Sequence, residues 1–211
     1  MRKRIARKQK PAAVDTRVSR DDWVRCGLAV LADDGIEAVR VEPLAARLGV
    51  TKGSFYWHFS DRAALHTAML EAWRQRSTRD IVTRISAGAA VPREQLHRLL
   101  VLSAASGPAA RLETAIRSWA SADSKAARLV AEIDKERVAY VTNLLVSSGI
   151  PRPVAHMRTR IVYLMLIGSY FSSSRGQPLA TRELWNEVER LAYQTWSEDP
   201  QRLSGSARST P

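Results

Sequence analysis

A short run of cationic, hydroxyl and aromatic side chains near the N-terminus has the residue types needed to contact a nucleic acid. The run spans residues 51–59 and reads Thr-Lys-Gly-Ser-Phe-Tyr-Trp-His-Phe. On a short helix, one outward face would present Lys52, Ser54, Tyr56, Trp57 and His58. Such side chains suit hydrogen bonds to base edges and contacts to phosphates. We therefore predict a nucleic-acid-reading helix over residues 52–59.

The segment before this run has the pattern of a supporting helix and a tight turn. Leu44-Ala-Ala-Arg-Leu48 is followed by Gly49, which can adopt the left-handed backbone conformation that such a turn requires. Thr51 is predicted to cap the reading helix, whose free N–H groups would then favour a phosphate. The two crossing helices are expected to share a small core, made of Leu44, Leu48, Val50, Phe55 and Phe59.

The excess of positive charge in this chain lies outside the helix-turn-helix. The 211 residues carry a net charge of +12, and 45% of them are hydrophobic, as in a globular protein. Residues 1–20 hold eight basic residues and one acidic residue, whereas residues 21–75 hold six basic and eight acidic residues. Residues 1–18 are predicted to be a disordered basic arm, which either adds sequence-independent affinity for DNA or is only a solvated tail.

The rest of the chain has helical periodicity throughout, and no segment indicates a strand. We predict an all-α fold of nine helices, at residues 19–33, 42 or 43–48, 52–59, 61–85, 93–105, 110–122, 124–147, 153–174 and 181–197. Ser60 or Asp61 is expected to cap the fourth of these helices. The predicted organisation is a basic arm at 1–18, a DNA-binding domain at 19–65, a dimerisation and ligand-binding domain at 66–198, and a disordered tail at 199–211.

The string from Val50 to Phe59, followed by Ser60-Asp-Arg62 and Leu65, resembles the recognition-helix signature of the TetR family of transcriptional regulators. The resemblance implies base-edge contacts for Lys52, Gly53, Ser54 and Trp57. It implies phosphate contacts for Tyr56, His58 and Arg62. Val41 stands where the family usually has threonine, and Glu42 follows where a basic or neutral residue is common. Arg40 is expected to compensate for this weaker phosphate clamp.

The resemblance also implies a homodimer built from the last two helices, and a small-molecule effector among the middle helices. The eighth helix is apolar most of the way round, which is more than one subunit's core requires. Candidate dimer contacts are Ile161, Met165, Gly168, Leu184, Val188 and Leu191. Candidate ligand contacts are Met69, Trp73, Arg117, Trp119, Asp134, Arg137, Tyr140 and Tyr163. Asp134 and Arg137 could equally form a structural pair.

The sequence argues against enzymatic function. It has four histidines and one cysteine, and no Gly-rich phosphate loop or His-Glu-x-x-His motif. Cys26 lies in an apolar helical stripe and is expected to be a small core residue. We expect a cytoplasmic DNA-binding repressor with no metal or cofactor. The open alternatives are an activator or ligand-independent regulator on the same scaffold, and a membrane-surface protein that uses the basic arm.

Overall fold

The computed structural model describes residues 18–88, 91–104, 107–174 and 180–194, and this part of the chain is helical without a strand. The predicted all-α fold of nine helices is confirmed over these residues. The helices are α1 (Arg20–Asp34), α2 (Val41–Leu48), α3 (Lys52–Tyr56), α4 (Arg62–Arg74, a π-helical turn Gln75–Arg79, and Asp80–Gly88), α5 (Pro92–Ala104), α6 (Gly107–Ala120), α7 (Ser124–Ser147), α8 (Arg152–Ser174) and α9 (Arg182–Tyr193). A 3₁₀ turn, Ile36–Ala38, joins α1 to α2.

The arm predicted at 1–18 lies outside the described residues except for Val18, and the tail predicted at 199–211 lies wholly outside them. None of the described helices combines the length and the apolar composition needed to cross a membrane.

Acidic and hydroxyl side chains cap the N-termini of α1, α4 and α7. Ser19 and Asp22 form a reciprocal capping box at α1, in which the Asp22 carboxylate accepts from the Ser19 N–H at 2.8 Å. These hydrogen bonds lower the pKa of Asp22 below its ordinary value. Asp61 caps α4 by accepting from the Ala64 N–H at 2.7 Å. Asp123 caps α7, and its carboxylate accepts from two backbone N–H groups at 2.9 Å.

Several helix boundaries differ from the prediction. Helix α3 ends at Tyr56 rather than Phe59, because the next residues turn so that Asp61 can cap α4. The helix predicted at 110–122 begins earlier, because Gly107 and Pro108 form the first turn of α6, where a missing N–H costs little. Helix α9 ends at Tyr193 because Gln194 is extended. The π-helical turn inside α4 was not predicted.

Two hydrophobic clusters hold the helices together. The first cluster joins α1–α4 to α6 and α7, and it contains Trp23, Phe55, Trp73 and Trp119. Within it, α1 approaches α4 closely at Gly27, where an added Cβ would lie 2.7 Å from the Met69 sulfur. The second cluster joins α5 and α7–α9, with Leu96, Leu145, Trp185 and Val188 among its buried members. Because the first cluster spans residue 65, no break in packing marks the predicted domain boundary.

Cys26 packs at the edge of the first cluster and is partly rather than fully buried. Its burial raises the pKa of the thiol above the ordinary value.

Candidate nucleic-acid interface and cavity

Helices α2 and α3 are joined by a turn whose geometry selects glycine. Gly49 has φ 67° and ψ 29°, which is the left-handed conformation. The Val50 N–H donates to the Ala45 carbonyl at 3.0 Å across this turn. A Cβ at Gly49 would meet no atom within 4 Å, so the backbone conformation rather than the available space requires glycine.

An aromatic core fixes the angle between these helices and α1. The ring centroids of Phe55 and Trp23 are 5.2 Å apart in an edge-to-face contact, and Phe55 stacks on Phe59 at 5.3 Å. Leu44 and Phe55 are completely buried. Leu48 and Val50 pack at the partly buried edge. The predicted core of the helix-turn-helix is therefore confirmed, and it orients the opposite face of α3 toward solvent.

The outward face of α3 carries large side chains that no protein packing explains. Trp57 is 87% exposed and Tyr56 is 55% exposed. Thr51, Lys52 and Gly53 are also exposed, and Ser54 is half-buried. Thr51 occupies the N-cap position as predicted, but its side chain makes no capping hydrogen bond. Adjacent exposed aromatic side chains such as Tyr56 and Trp57 are typical of a surface that contacts a partner.

Lys52 does not stand free on this face. Its ammonium donates to the Glu42 carboxylate at 2.5 Å, which joins α3 to α2. This hydrogen bond raises the pKa of Lys52 and lowers that of Glu42. The unusual acid at the start of α2 thus neutralises the one cation of the reading helix, while Arg40 lies exposed just before it.

His58 and Arg62 make internal contacts on the same side of the molecule. The His58 Nε2 lies 2.9 Å from the Val18 carbonyl, at the entrance to α1. Arg62 donates from Nη2 to the Ile36 carbonyl at 2.9 Å and from Nε to the His66 Nε2 at 3.2 Å. Both side chains therefore position the module, a role that the sequence did not indicate.

His66 lies where the helix-turn-helix meets the rest of the chain. Its ring packs edge-to-face on Trp119 of α6 at 5.1 Å, and it also hydrogen-bonds the backbone of Val39. Burial is the largest cause that lowers the pKa of His66, and the charge of Arg62 lowers it further, while Asp123 and Glu37 oppose this. Because its Nε2 accepts from Arg62, the ring here is neutral.

This arrangement predicts a pH-dependent loss of stability. Since the pKa of folded His66 is depressed, the unfolded chain binds this proton more readily, and stability falls as pH drops below about 6.5. His66→Gln keeps an amide oxygen for Arg62 without titrating, so its free energy of unfolding should fall less between neutral and mildly acidic pH. Urea denaturation across this range measures the slope. The exposed-histidine control His156→Gln should retain the wild-type slope; equal slopes in all three proteins would contradict the prediction.

A cavity of about 520 Å³ lies among α1 and α4–α8. Its volume is in the range of about 300–1,000 Å³ that small-molecule sites occupy. Most of its wall is apolar, including Leu28, Trp73, Ile81, Val82, Leu96, Leu99, Leu100, Leu112, Val162 and Leu166. Four of the eight residues predicted as ligand contacts line it: Trp73, Arg137, Tyr140 and Tyr163.

The other four predicted ligand contacts lie outside this wall. Met69 is fully buried under α1, and Trp119 packs against His66. Asp134 pairs with Arg117 at 2.6 Å rather than forming the considered pair with Arg137. The reason is that α6 and α7 pack side by side, which brings Arg117 of α6 against Asp134 of α7.

A network of charged side chains closes one end of the cavity, and the sequence predicted only some of its members. Glu113 is 4% exposed and accepts from Arg117 at 2.8 Å and from Arg137 at 2.9 Å. Tyr163 donates to Asp134 at 2.6 Å. Burial alone would raise the pKa of Asp134, but hydrogen bonds from Arg117 and Tyr163 lower it below its ordinary value. Glu113 was missed, although its spacing of four from Arg117 is a helical pairing signal.

The helix-turn-helix matches one known family. Residues 26–69 match the family model described as bacterial regulatory proteins, tetR family. The chain is 39% identical over 56 residues to the class C tetracycline repressor protein of Escherichia coli, which covers 26% of each protein. It is 34% identical over 67 residues to the class G tetracycline repressor protein of Vibrio anguillarum, covering 31% of this chain and 32% of that one.

The helix-turn-helix of this chain belongs to the TetR family.

Solved structures of TetR-family regulators extend the likeness in fold beyond the helix-turn-helix. A TetR-like transcriptional regulator from Rhodococcus sp. RHA1 has a TM-score of 0.65 and 15% identity, covering 90% of this chain and 98% of that one. A TetR-family transcriptional regulator from Bordetella parapertussis 12822 has a TM-score of 0.59 and 18% identity, covering 82% and 93%. These identities show the fold alone. The chain spans only about a quarter to a third of the length of the curated relatives it matches.

Helices α8 and α9 expose an apolar stripe. The exposed large side chains on these two helices are Met157, Ile161, Leu164, Phe171, Leu184 and Leu191. Gly168 is exposed within the stripe, and nothing lies within 4 Å of its Cβ position. Of the predicted dimer contacts, Ile161, Gly168, Leu184 and Leu191 lie on this surface. Met165 packs at the edge of the second cluster, and Val188 is buried inside the subunit.

Proposed function

We propose that this chain is a homodimeric transcriptional repressor that binds operator DNA through α3 and is released by a small organic molecule. The observation that carries the proposal is the exposed Trp57–Tyr56 face of a rigid helix-turn-helix, in a chain that also encloses a cavity. Lys52, Gly53, Ser54 and Trp57 are assigned to base edges. Tyr56, with the free N–H groups that follow Thr51, is assigned to phosphates.

Helix α4 supports a link between the cavity and the DNA. Five residues separate its start from the end of α3, and its N-terminal part packs on α1 beside the helix-turn-helix. Its later part supplies Trp73, Ser77 and Thr78 to the cavity wall. A ligand that moves this wall would therefore move the base of the reading head, which changes the spacing of two heads in a dimer.

The stripe on α8 and α9 supports the dimer. Its members on α8 recur at intervals of three and four residues, so they form one continuous face. An exposed apolar face of this kind is typical of an interface between copies. Leu164, which is 69% exposed, would lie near its centre.

Selection of bound DNA from a random pool tests the proposal. The expected result is a two-fold symmetric operator, whose half-sites are separated by about one helical turn or a multiple of it. Leu164→Glu should yield a monomer with weak binding to the same DNA. A reporter carrying this operator should be silenced by the protein. Activation of the reporter, or the recovery of no preferred sequence, would contradict the proposal.

Glu42→Gln is expected to tighten DNA binding about threefold to tenfold, because it removes a negative charge from the reading face and frees Lys52 for a phosphate or base. The dependence of log affinity on log salt concentration should steepen by about one per freed lysine. Fluorescence anisotropy at several salt concentrations measures both quantities. Glu71→Gln, which breaks an exposed pair with Arg79 on α4, is the matched control and should leave affinity unchanged. Equal behaviour of the two variants would contradict the expected role of Glu42.

A further inference from the structure

The closed end of the cavity offers no charge to a ligand. Arg137 uses all its donor nitrogens on Glu113, Ser77, Thr78 and Tyr163. Glu113 is likewise held by both Arg137 and Arg117, and Arg117 also pairs with Asp134. Two cations thus balance two carboxylates. A ligand charge placed there would have to break a buried ion pair, which costs more than it returns. The enclosed part of a ligand must therefore be uncharged.

The opening of the cavity has a different electrostatic character. Arg76 of α4 and Arg111 of α6 line the cavity and are both exposed. Within the residues that the structure describes, neither guanidinium forms an ion pair. Asp33 of α1 is the acidic residue exposed at the same wall, so the opening retains a positive excess. Guanidinium groups that line such an opening without an acidic partner are suited to a carboxylate or another planar anion.

We propose that the effector of this cavity is an amphipathic organic anion, with an apolar body among the side chains of α4, α5 and α8 and an anionic end held by Arg76 and Arg111. The inference deepens the proposed function, because it rests on the cavity being the effector site. It predicts a ranking among ligands that share one hydrocarbon body: the carboxylate binds more tightly than the alcohol, and the amine binds most weakly.

The test compares octanoate and dodecanoate with the alcohols and amines of the same chain length, below their micelle-forming concentrations. Binding is followed by intrinsic fluorescence, because Trp73 lines the cavity. The carboxylate should bind at least about tenfold more tightly than the matched alcohol. The double variant that carries Arg76→Gln and Arg111→Gln should lose this preference for the carboxylate and bind the alcohol as the wild type does. Arg84→Gln with Arg128→Gln removes two exposed charges that do not line the cavity, and it should retain the preference.

Operator release is measured in a separate experiment, so that the proposed ligand class and the proposed ligand-released repression can fail independently. Equal binding of carboxylate and alcohol, a preference that survives the Arg76 and Arg111 changes, or no binding by any of the probes overturns the proposed ligand class. Release of the operator by the alcohol as readily as by the carboxylate would overturn the ligand class and leave the repressor function supported. Tight, arginine-dependent carboxylate binding without release supports the ligand class and overturns ligand-released repression.

Discussion

Trp57→Ala is expected to weaken operator binding on the order of 100-fold while leaving the melting temperature unchanged. A specific base-edge contact contributes about 1–3 kcal/mol, and a dimer loses one contact in each half-site. The fold does not depend on this side chain, because Trp57 is 87% exposed and the core of the helix-turn-helix is built from Phe55 and Phe59. Anisotropy with the selected operator, together with thermal denaturation, measures the two effects.

Two further variants serve as controls for the loss of this side chain: a conservative change at Trp57 and the loss of an exposed apolar side chain elsewhere. Trp57→Phe keeps an aromatic surface and should lose less affinity than alanine. Val101→Ala removes a side chain that is 55% exposed on α5, far from the reading face, and it should bind the operator as the wild type does. A Trp57→Ala protein that binds the operator normally, or one that loses affinity only because it unfolds, would contradict the assigned role.

The sequence was sufficient for features that depend on neighbouring residues. The caps at Ser19 and Asp123, the turn at Gly49 and the inward positions of Phe55 and Phe59 follow from local backbone chemistry and from helical spacing. Each of these signals acts over one or two turns of helix. The exposed face of α3 is the complement of those inward positions, so it was predictable as well.

Features that depend on packing between distant helices were not predictable in this way. Both faces of α9 carry apolar residues, and periodicity alone could not show that Val188 turns inward with Trp185 while Leu184 and Leu191 turn outward. The pairing of Asp134 with Arg117 likewise depends on which helix lies beside α7. The partners of Lys52 and Arg62 were also missed, since each contact crosses a turn whose geometry no local pattern fixes.

The π-helical turn in α4 could not be predicted from the sequence for a related reason: several of its hydrogen bonds come from Arg137 of α7. The Arg137 Nε donates to the Thr78 hydroxyl at 2.9 Å, and its Nη2 donates to the Ser77 hydroxyl at 2.9 Å and the Ser77 carbonyl at 3.3 Å. Its guanidinium carbon also lies 5.3 Å from the centre of the Trp73 ring. One side chain, 59 residues away from Thr78 in sequence, therefore holds the irregular turn in place.

Arg137→Met is accordingly expected to destabilise the fold by about 3–5 kcal/mol, because it leaves Glu113 with a single cationic partner and leaves the π-helical turn without its donors. For a chain of this length, such a loss lowers the melting temperature by roughly 10 °C.

Adding Glu113→Gln to Arg137→Met should restore at least half of the lost stability. The second change removes the under-compensated charge and leaves Arg117 paired with Asp134. Thermal and urea denaturation of the two single variants and the double variant completes the cycle. Arg84→Gln on α4, an exposed arginine, is the control and should change little. If Arg137→Met is as stable as the control, or if the double variant loses the sum of both single losses, the network does not hold α4 to α6 and α7 through charge.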